Sequence, residues 1–409
     1  MKKSLIALAV LGAISGAASA QSSVTMYGIV DVGVQYNSYG VNGGTTAAPN
    51  WQKQSIWGIN GGYQSGNRLG VRGSEALGGN WSAVFDLEMG FNIDTGTSGQ
   101  NGQLFGRQAY AGLRHTQFGT VAFGRIATAS SGTGDFNLWG GIDPFDTGFS
   151  LIGLQATFIP SNSLREDNSV IWASPNWGGL QLAASYSANV LGGESAPSGT
   201  NTQAYNLSAR YSWGPLTVAA TYDVLNFPNA NAPLATTCIG VSTAGCPDQK
   251  MLQLGGTFDF KFLKLHAAWA NQDNVSVIGT VPNVNNGFAP NATFIPTGIG
   301  NYNNNAYMIG VTVPLFGGNI LGSYQWSDAK NIISNNPASF GAQFEPDFNV
   351  WGIGYTYPFS RRTNMYVGYG QRSWDGDIRS TSATGGVVLP QASQAFDRNQ
   401  FAIGLRHLF

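Results

Sequence analysis

Along residues 80–92, NWSAVFDLEMGFN, apolar and polar side chains alternate with a period of two. Trp81, Ala83, Phe85, Leu87, Met89 and Phe91 share one face; Ser82, Asp86, Glu88, Gly90 and Asn92 share the other, with Val84 as the exception. Such alternation predicts one long β-strand with an apolar side and a polar side. The pattern recurs in LQLAASYS (180–187) and in VWGIGYTYPF (350–359), where Trp351, Ile353, Tyr355, Tyr357 and Phe359 stand opposite Gly352, Gly354 and Thr356. Sixteen strands are predicted near 24–36, 65–74, 80–92, 103–115, 119–126, 166–174, 179–190, 203–213, 216–226, 250–260, 263–272, 303–314, 318–328, 346–358, 363–374 and 397–409.

Two kinds of connection take turns along the chain. Short Gly-, Pro- and Asn-containing turns such as EALGGNW, PNWGG, SWGP and LFGG predict tight hairpins. Long connectors rich in Asn, Gly, Thr, Ser and Ala occupy 37–64, 126–164, 227–249, 273–302 and 375–395. Hairpins therefore close tightly at one end and loosely at the other, the asymmetry of outer-membrane barrels with short periplasmic turns and long extracellular loops.

A single alternating strand cannot say whether its apolar face meets a core or lipid, but its length can. Crossing an apolar band about 25 Å tall at a tilt of about 45° takes about ten residues. The periodic segments have that length, whereas strands of soluble proteins run to about five or six residues. Trp81, Phe91, Tyr357 and Phe359 lie near strand ends, where aromatic girdles mark the membrane interfaces. The expected fold is all-β: a 16-stranded antiparallel transmembrane β-barrel with its apolar faces toward lipid. Closure satisfies every backbone polar group that lipid cannot. Barrels of this size leave an aqueous channel.

The first twenty residues, MKKSLIALAVLGAISGAASA, fit an export leader: Lys2 and Lys3, an apolar run from Leu5 to Ile14, and small residues ending Ala18-Ser19-Ala20. The run is too short to span a bilayer as a helix. Cleavage should leave 21–409 as one barrel domain beginning at Gln21. Only 10% of the residues are charged, against about 25% in soluble domains. Losing Lys2 and Lys3 leaves 18 basic against 21 acidic side chains, a net charge of −3, so no basic excess invites nucleic acid. The two cysteines, Cys238 and Cys246 in CIGVSTAGC, predict one disulfide closing a short surface loop in an oxidising compartment. A metal there would find only Asp248 nearby, and no cofactor is expected.

The charges that remain cluster. In NRLGVRGSE, Arg68 and Arg72 share the parity of Gly70 and should project into the lumen, and GRQAYAGLRH adds Arg107. The connector 126–164, the longest in the first half, carries Asp135, Asp143 and Asp146 in DFNLWGGIDPFDTG. Folded inward, it would narrow the pore. Basic wall residues facing its acids, with Asp86 and Glu88 on the lumen side of their strand, would set a transverse field that low-dielectric walls focus. Ordinary rim charges would give the same spacing.

Over its whole length the chain resembles the general diffusion porins of Gram-negative outer membranes, particularly the β-proteobacterial type. The resemblance rests on the ordered set SVTMYGIVDVGV, NRLGVRGSE, RQAYAGLRH…FGTVAFGR, REDNSVIWASPNWGGLQLAASYS, SRRTNMYVGYG and the closing FAIGLRHLF. It implies a homotrimer of barrels set in outer-membrane lipid and lipopolysaccharide, with the third external loop infolded as a constriction. The channel would be water-filled and pass small hydrophilic solutes and ions by passive diffusion; from their own charge, Arg68 and Arg107 are expected to help admit anions. Arg68 and Arg107 match constriction arginines of that family, Asp86 a nearby lumen acid, and Asp143 and Asp146 the acids of the infolded loop. Arg125 matches an arginine near the subunit contact, and Phe409 the terminal aromatic that the barrel assembly machinery reads. Ile29 stands where some enteric members have Lys, no arginine follows the loop near Gln155, and PEFGG is absent.

Three other readings compete with this one. A barrel enzyme would need a catalytic constellation, and none of His115, His266 and His407 lies beside an evident Ser and acid. A substrate-specific channel for a sugar or organic anion would line its lumen with aromatics; Tyr366 shares parity with Arg372, but its face stays open. A secreted soluble β protein conflicts with the strand lengths, the turn asymmetry and Phe409.

Overall fold

The computed structural model describes residues 22–42, 51–146, 148–149, 152, 165–190, 192–193, 201–226, 248–275, 299–300, 302–330, 333–334, 342–344, 348–374, 378–380, 387–388 and 398–409. The expected leader 1–20, Cys238 and Cys246, and parts of the connector 126–164 lie outside them. The strands in chain order are β1 (Ser23–Asn42), β2 (Trp51–Gly61), β3 (Arg68–Gly78), β4 (Trp81–Gly90), β5 (Gln108–His115), β6 (Gly119–Ala127), β7 (Arg165–Ala173) and β8 (Leu180–Ser187). They continue as β9 (Gln203–Trp213), β10 (Leu216–Asn226), β11 (Gln249–Asp259), β12 (Lys264–Val275), β13 (Ile299–Gly300), β14 (Tyr302–Leu315) and β15 (Gly318–Lys330). The last are β16 (Ile333–Ser334), β17 (Ala342–Phe344), β18 (Phe348–Pro358), β19 (Thr363–Trp374), β20 (Ile378–Ser380), β21 (Val387–Val388) and β22 (Arg398–Leu408).

Seventeen of these make one antiparallel sheet, and the short β13, β16, β17, β20 and β21 make two small ones. The large sheet closes on itself because β1 pairs with β22 on one flank and with β2 and β3 on the other. β2 and β3 lie end to end along that flank. Val32 opposes Gly61 and Ile29 opposes Arg68, so β1 advances by two residues while its partner advances by six, residues 62–67. The cylinder therefore has sixteen staves, and the second is broken by an inserted loop.

That break corrects the predicted connector 37–64. β1 runs on to Asn42, and β2 fills the end of the expected loop. Residues 52–57 of β2 are exposed on both parities, so nothing selects alternation there. Backbone pairing with β1 makes the strand instead.

The faces separate as the alternation demands. Outward positions expose large apolar side chains: Val121 and Phe123 on β6, Leu207 and Trp213 on β9, Ile403 and Leu405 on β22. Inward positions bury Gln35 and Asn37 on β1, Asn206 and Ser208 on β9, and Gln400 on β22. Apolar exposure of this extent marks a membrane surface rather than a watery one. Phe85 and Leu87 thus face outward while Asp86 and Glu88 face the lumen and are buried there. Near the tight turns Trp172 and Trp177 donate their indole N–H groups to the carbonyls of Phe118 and Gln117 at 2.9 and 3.2 Å. An indole with one apolar face and one satisfied donor suits the membrane boundary. The seam is completed by Phe409, whose N–H donates to Gly28 O and whose carbonyl accepts from Gly28 N–H, both at 3.1 Å. Its ring covers the space that a Gly28 side chain would take: a Cβ there would lie 2.4 Å from the ring.

Candidate functional site

The connector after β6 turns into the cylinder and runs around its inner wall. Phe136 packs with Tyr110, Ala122, Ile126 and Ile171 on β5, β6 and β7. Leu138 lies against Ala183 of β8. Trp139 and Ile142 meet small side chains of β10, β12 and β14, including Ala219, Ala268 and Ala306. Phe145, Phe149 and Ile152 end on Leu321, Val350, Tyr366 and Ala402, on β15, β18, β19 and β22. An apolar residue at each station holds the loop on the wall by burial, each worth about 1.5–3 kcal/mol when fully covered.

The wall is shaped to receive it. Gly255 faces Trp139 and Ile142, Gly310 faces Pro144, Gly354 faces Phe145, and Gly352 and Gly370 both face Ile152. A Cβ on Gly370 would lie 1.8 Å from Ile152 Cγ2, and one on Gly310 2.7 Å from Pro144 Cγ. The glycines that alternate with outward aromatics on β18 thus form a shallow bed in which the loop lies flat, leaving the axis to water.

Polar side chains pin the backbone at intervals. Arg210 Nη1 donates to the carbonyls of Leu138 and Gly140 at 3.1 and 2.6 Å. His266 Nδ1 sits 2.9 Å from Ile142 O, and Gln325 Nε2 donates to Ile152 O at 2.8 Å. Ser130 Oγ donates to Asp223 Oδ1 at 2.7 Å. Each satisfies a polar group of the loop that is buried or partly buried against the wall.

The inserted loop 62–67 meets the far end of this band. Tyr63 is fully buried, stacked on Tyr366 at 5.7 Å and edge-on to Phe149 at 5.1 Å. Phe149 N–H donates to Tyr63 O. Asp31 holds the insertion in shape: its Oδ2 accepts from Ser65 N–H and its Oδ1 from the Tyr366 hydroxyl, both at 2.6 Å. Its own N–H donates to Asn67 Oδ1 at 2.6 Å.

Charges gather on β3, on β4 and at Arg107, just before β5. Arg107 Nε donates to Glu88 Oε1 at 2.6 Å, and Arg68 Nη1 lies 4.0 Å from Glu88 Oε2. Arg72 Nε lies 3.5 Å from Asp86 Oδ2, and its Nη1 lies 3.8 Å from Asp135 Oδ1 on the loop. Tyr110 donates its hydroxyl proton to Asp135 Oδ2 at 2.7 Å. Exposure within these pairs is unequal. The side chains of Asp86 and Glu88 are 1% and 4% exposed, against 46% for Arg72 and 19% for Arg68. At this level Asp86, Glu88 and Arg107 are covered, while Arg72 and, less fully, Arg68 meet the lumen beside Asp135 of the loop, which is 27% exposed.

The residues singled out from the sequence therefore fall into two groups. Arg68, Arg72, Arg107 and Asp86 come together with Glu88 and Asp135. Asp143 and Asp146 shape the loop itself: Asp143 Oδ1 accepts from Phe145 N–H at 2.9 Å, and Asp146 Oδ1 accepts from Gly141 N–H at 3.1 Å. Arg125 stands apart, paired with Asp167 and donating to Gly106 O at 2.9 Å. Sequence reasoning missed two participants, Tyr27 and Arg165, and left the face of Tyr366 open. Tyr27, opposite Gly70 on β3, reaches both Asp86 and Glu88. Arg165, the first residue of β7, lies within electrostatic reach of Arg107 and Arg68, and its buried Nε has no hydrogen-bond partner among the described residues. Tyr366 points inward. Lumen parity is the signal available for Tyr27 and Tyr366; Arg165 lies ten residues beyond Gln155, where a post-loop arginine is expected.

Residues 7–377 match the family model described as Gram-negative porin. An outer membrane porin protein of Bordetella pertussis is 35% identical over 90% of this chain and 93% of its own length. Outer membrane porin protein 32 of Delftia acidovorans is 30% identical over the full length of both. Among solved structures, the anion-selective porin from Comamonas acidovorans superposes with a TM-score of 0.64 at 20% identity, covering 95% of this chain and 100% of that one. OmpT of Vibrio cholerae, in a trimer form, gives 0.54 at 15% identity, with 95% and 99% covered.

Proposed function

Because the chain belongs to the Gram-negative porin family, we propose that its channel passes small hydrophilic anions in preference to cations. The channel itself is an outer-membrane porin, a water-filled path for passive diffusion of small solutes and ions. Its family is one of channels rather than enzymes. The observation behind the preference is the unequal exposure of the paired charges: a permeant meets Arg72 and Arg68, whereas Asp86 and Glu88 are covered. Arg165 adds positive charge near Arg68 and Arg107. A field of this sign between low-dielectric walls attracts anions and repels cations at the narrowest level.

On this reading the loop within 126–164 is the constriction, with Arg68, Arg72 and Arg107 on its basic side. Asp86 is a neutralised wall acid, while Asp143 and Asp146 serve by holding the shape of the loop. The leader 1–20 is removed, and three copies assemble in lipopolysaccharide-containing lipid. The terminal Phe409 is handed to the barrel assembly machinery, and Cys238 and Cys246 close a disulfide.

Purified protein in planar bilayers tests the reading. Stepwise ohmic conductance is expected, with a reversal potential of the sign for anions in a potassium chloride gradient. A reversal potential at zero or of the opposite sign would reject the anion preference. Absence of conductance after insertion would reject the open channel.

A further inference from the structure

Tyr27 occupies a place that neither its strand nor its motif explains. It lies on β1, opposite Gly70 of β3, and its ring crosses β3 to reach the acids of β4. It crosses there because Gly70 has no side chain: a Cβ at that position would lie 2.4 Å from the ring and 2.6 Å from its hydroxyl oxygen. The hydroxyl stands 2.8 and 3.0 Å from the two oxygens of Asp86 and 3.1 Å from Glu88 Oε2. The Arg72 guanidinium lies over the face of the same ring, 3.7 Å from its centroid.

These contacts form a closed unit. Asp86 and Glu88 are two residues apart on one face of β4, so their carboxylates would repel each other and turn toward water. The phenolic hydroxyl has one proton, which it directs to Asp86 and shares at longer range with Glu88, holding both beside the wall. Arg72 covers the ring by a cation–π contact, and Arg107 holds the far side of Glu88 at 2.6 Å. The acids end almost wholly covered while the guanidinium above them stays open to the lumen.

We propose that Tyr27 is a positioning residue for ion selectivity: it sequesters the two wall acids, so that on this stretch of wall Arg72 meets the lumen and its partner acids do not. The inference rests on the anion-preferring reading of this aperture and names the residue on which that preference depends. It differs from a packing role, in which the ring would only fill the gap left by Gly70.

Tyr27→Phe keeps the ring and removes the hydroxyl. The ratio of anion to cation permeability, read from the reversal potential, is expected to fall severalfold in dilute salt, because an unmasked unit charge disfavours anions and favours cations together, and to fall less as salt screens it. The same substitution in a background of Asp86→Asn and Glu88→Gln is expected to have no effect, because no charge remains to be released. Gly70→Ala, which displaces the ring, should shift selectivity in the same direction and gives a second reading if Tyr27→Phe does not assemble. An unchanged reversal potential in Tyr27→Phe, or a shift that persists once both acids are neutralised, overturns the proposal. Should the unaltered channel prefer cations, the proposed function fails, whereas the role of Tyr27 still stands or falls on the direction of change.

Discussion

Phe149, near the far end of the infolded loop, stands edge-on to Tyr63 with 5.1 Å between ring centroids and donates its backbone N–H to the Tyr63 carbonyl. Tyr63 belongs to the six residues that break the second stave, and it stacks in turn on Tyr366 of β19. The break is thus not a defect in the sheet. It brings a side chain inward from the wall, where it latches the loop that lies along the wall.

Tyr63→Ala should release that latch. Truncating a buried aromatic in packed surroundings costs about 3–5 kcal/mol, here concentrated at the loop contact, because the barrel strands keep their own ladders. Oligomers should remain intact by heat-modifiable migration, while bilayer recordings show noisier current and closure at lower applied voltage. Recordings indistinguishable from the unaltered protein would mean that the remaining pins suffice.

The glycine bed makes an opposite kind of prediction. Gly352→Val and Gly370→Val place side chains where Ile152 now rests, the closest Cβ approach being 1.8 Å at Gly370. Overpacking of a filled site costs about 1–3 kcal/mol, and the loop yields more readily than the barrel. Displaced toward the axis, it should lower single-channel conductance without changing the sign of selectivity.

Arginines of the same cluster should differ in effect. Arg72→Ser and Arg68→Ser remove exposed charge and are expected to weaken the anion preference with little change in thermal stability, since partly exposed pairs contribute about 0–1 kcal/mol. Arg107→Ser instead strands the buried Glu88. Breaking a buried pair from one side costs about 3–5 kcal/mol, so oligomers should dissociate at lower temperature as well as lose anion preference. Reversal potential and melting of the oligomer, measured on the three variants, separate the two roles.

Deleting Phe409 removes both backbone bonds to Gly28 and the ring that covers it. Refolding into detergent from denaturant, with no assembly machinery present, should then give a lower yield of folded barrel. A normal yield in vitro would assign the residue to recognition during assembly rather than to the seam.

Much of this was legible in one dimension because the information is local. Parity along 80–92 placed Phe85 outside and Asp86 inside, and the succession of turns and connectors placed the hairpins. Pairing that is not accompanied by a half-buried face was invisible, which is why β2 fell within a predicted connector. Likewise, Gly352, Gly354 and Gly370 stood out as inward glycines, yet nothing nearby in the chain says that Pro144, Phe145 and Ile152 come to lie across such positions.

Alternation alone sufficed for a closed cylinder with lipid outside and water inside, since the identity of every second residue follows from which side of a strand it faces. What the aperture shows to a permeant was decided in three dimensions. Tyr27 reaches Asp86 across 59 positions of sequence and Tyr366 reaches Asp31 across 335; closure of the barrel brings them together, and burial then settles which charges remain in contact with water.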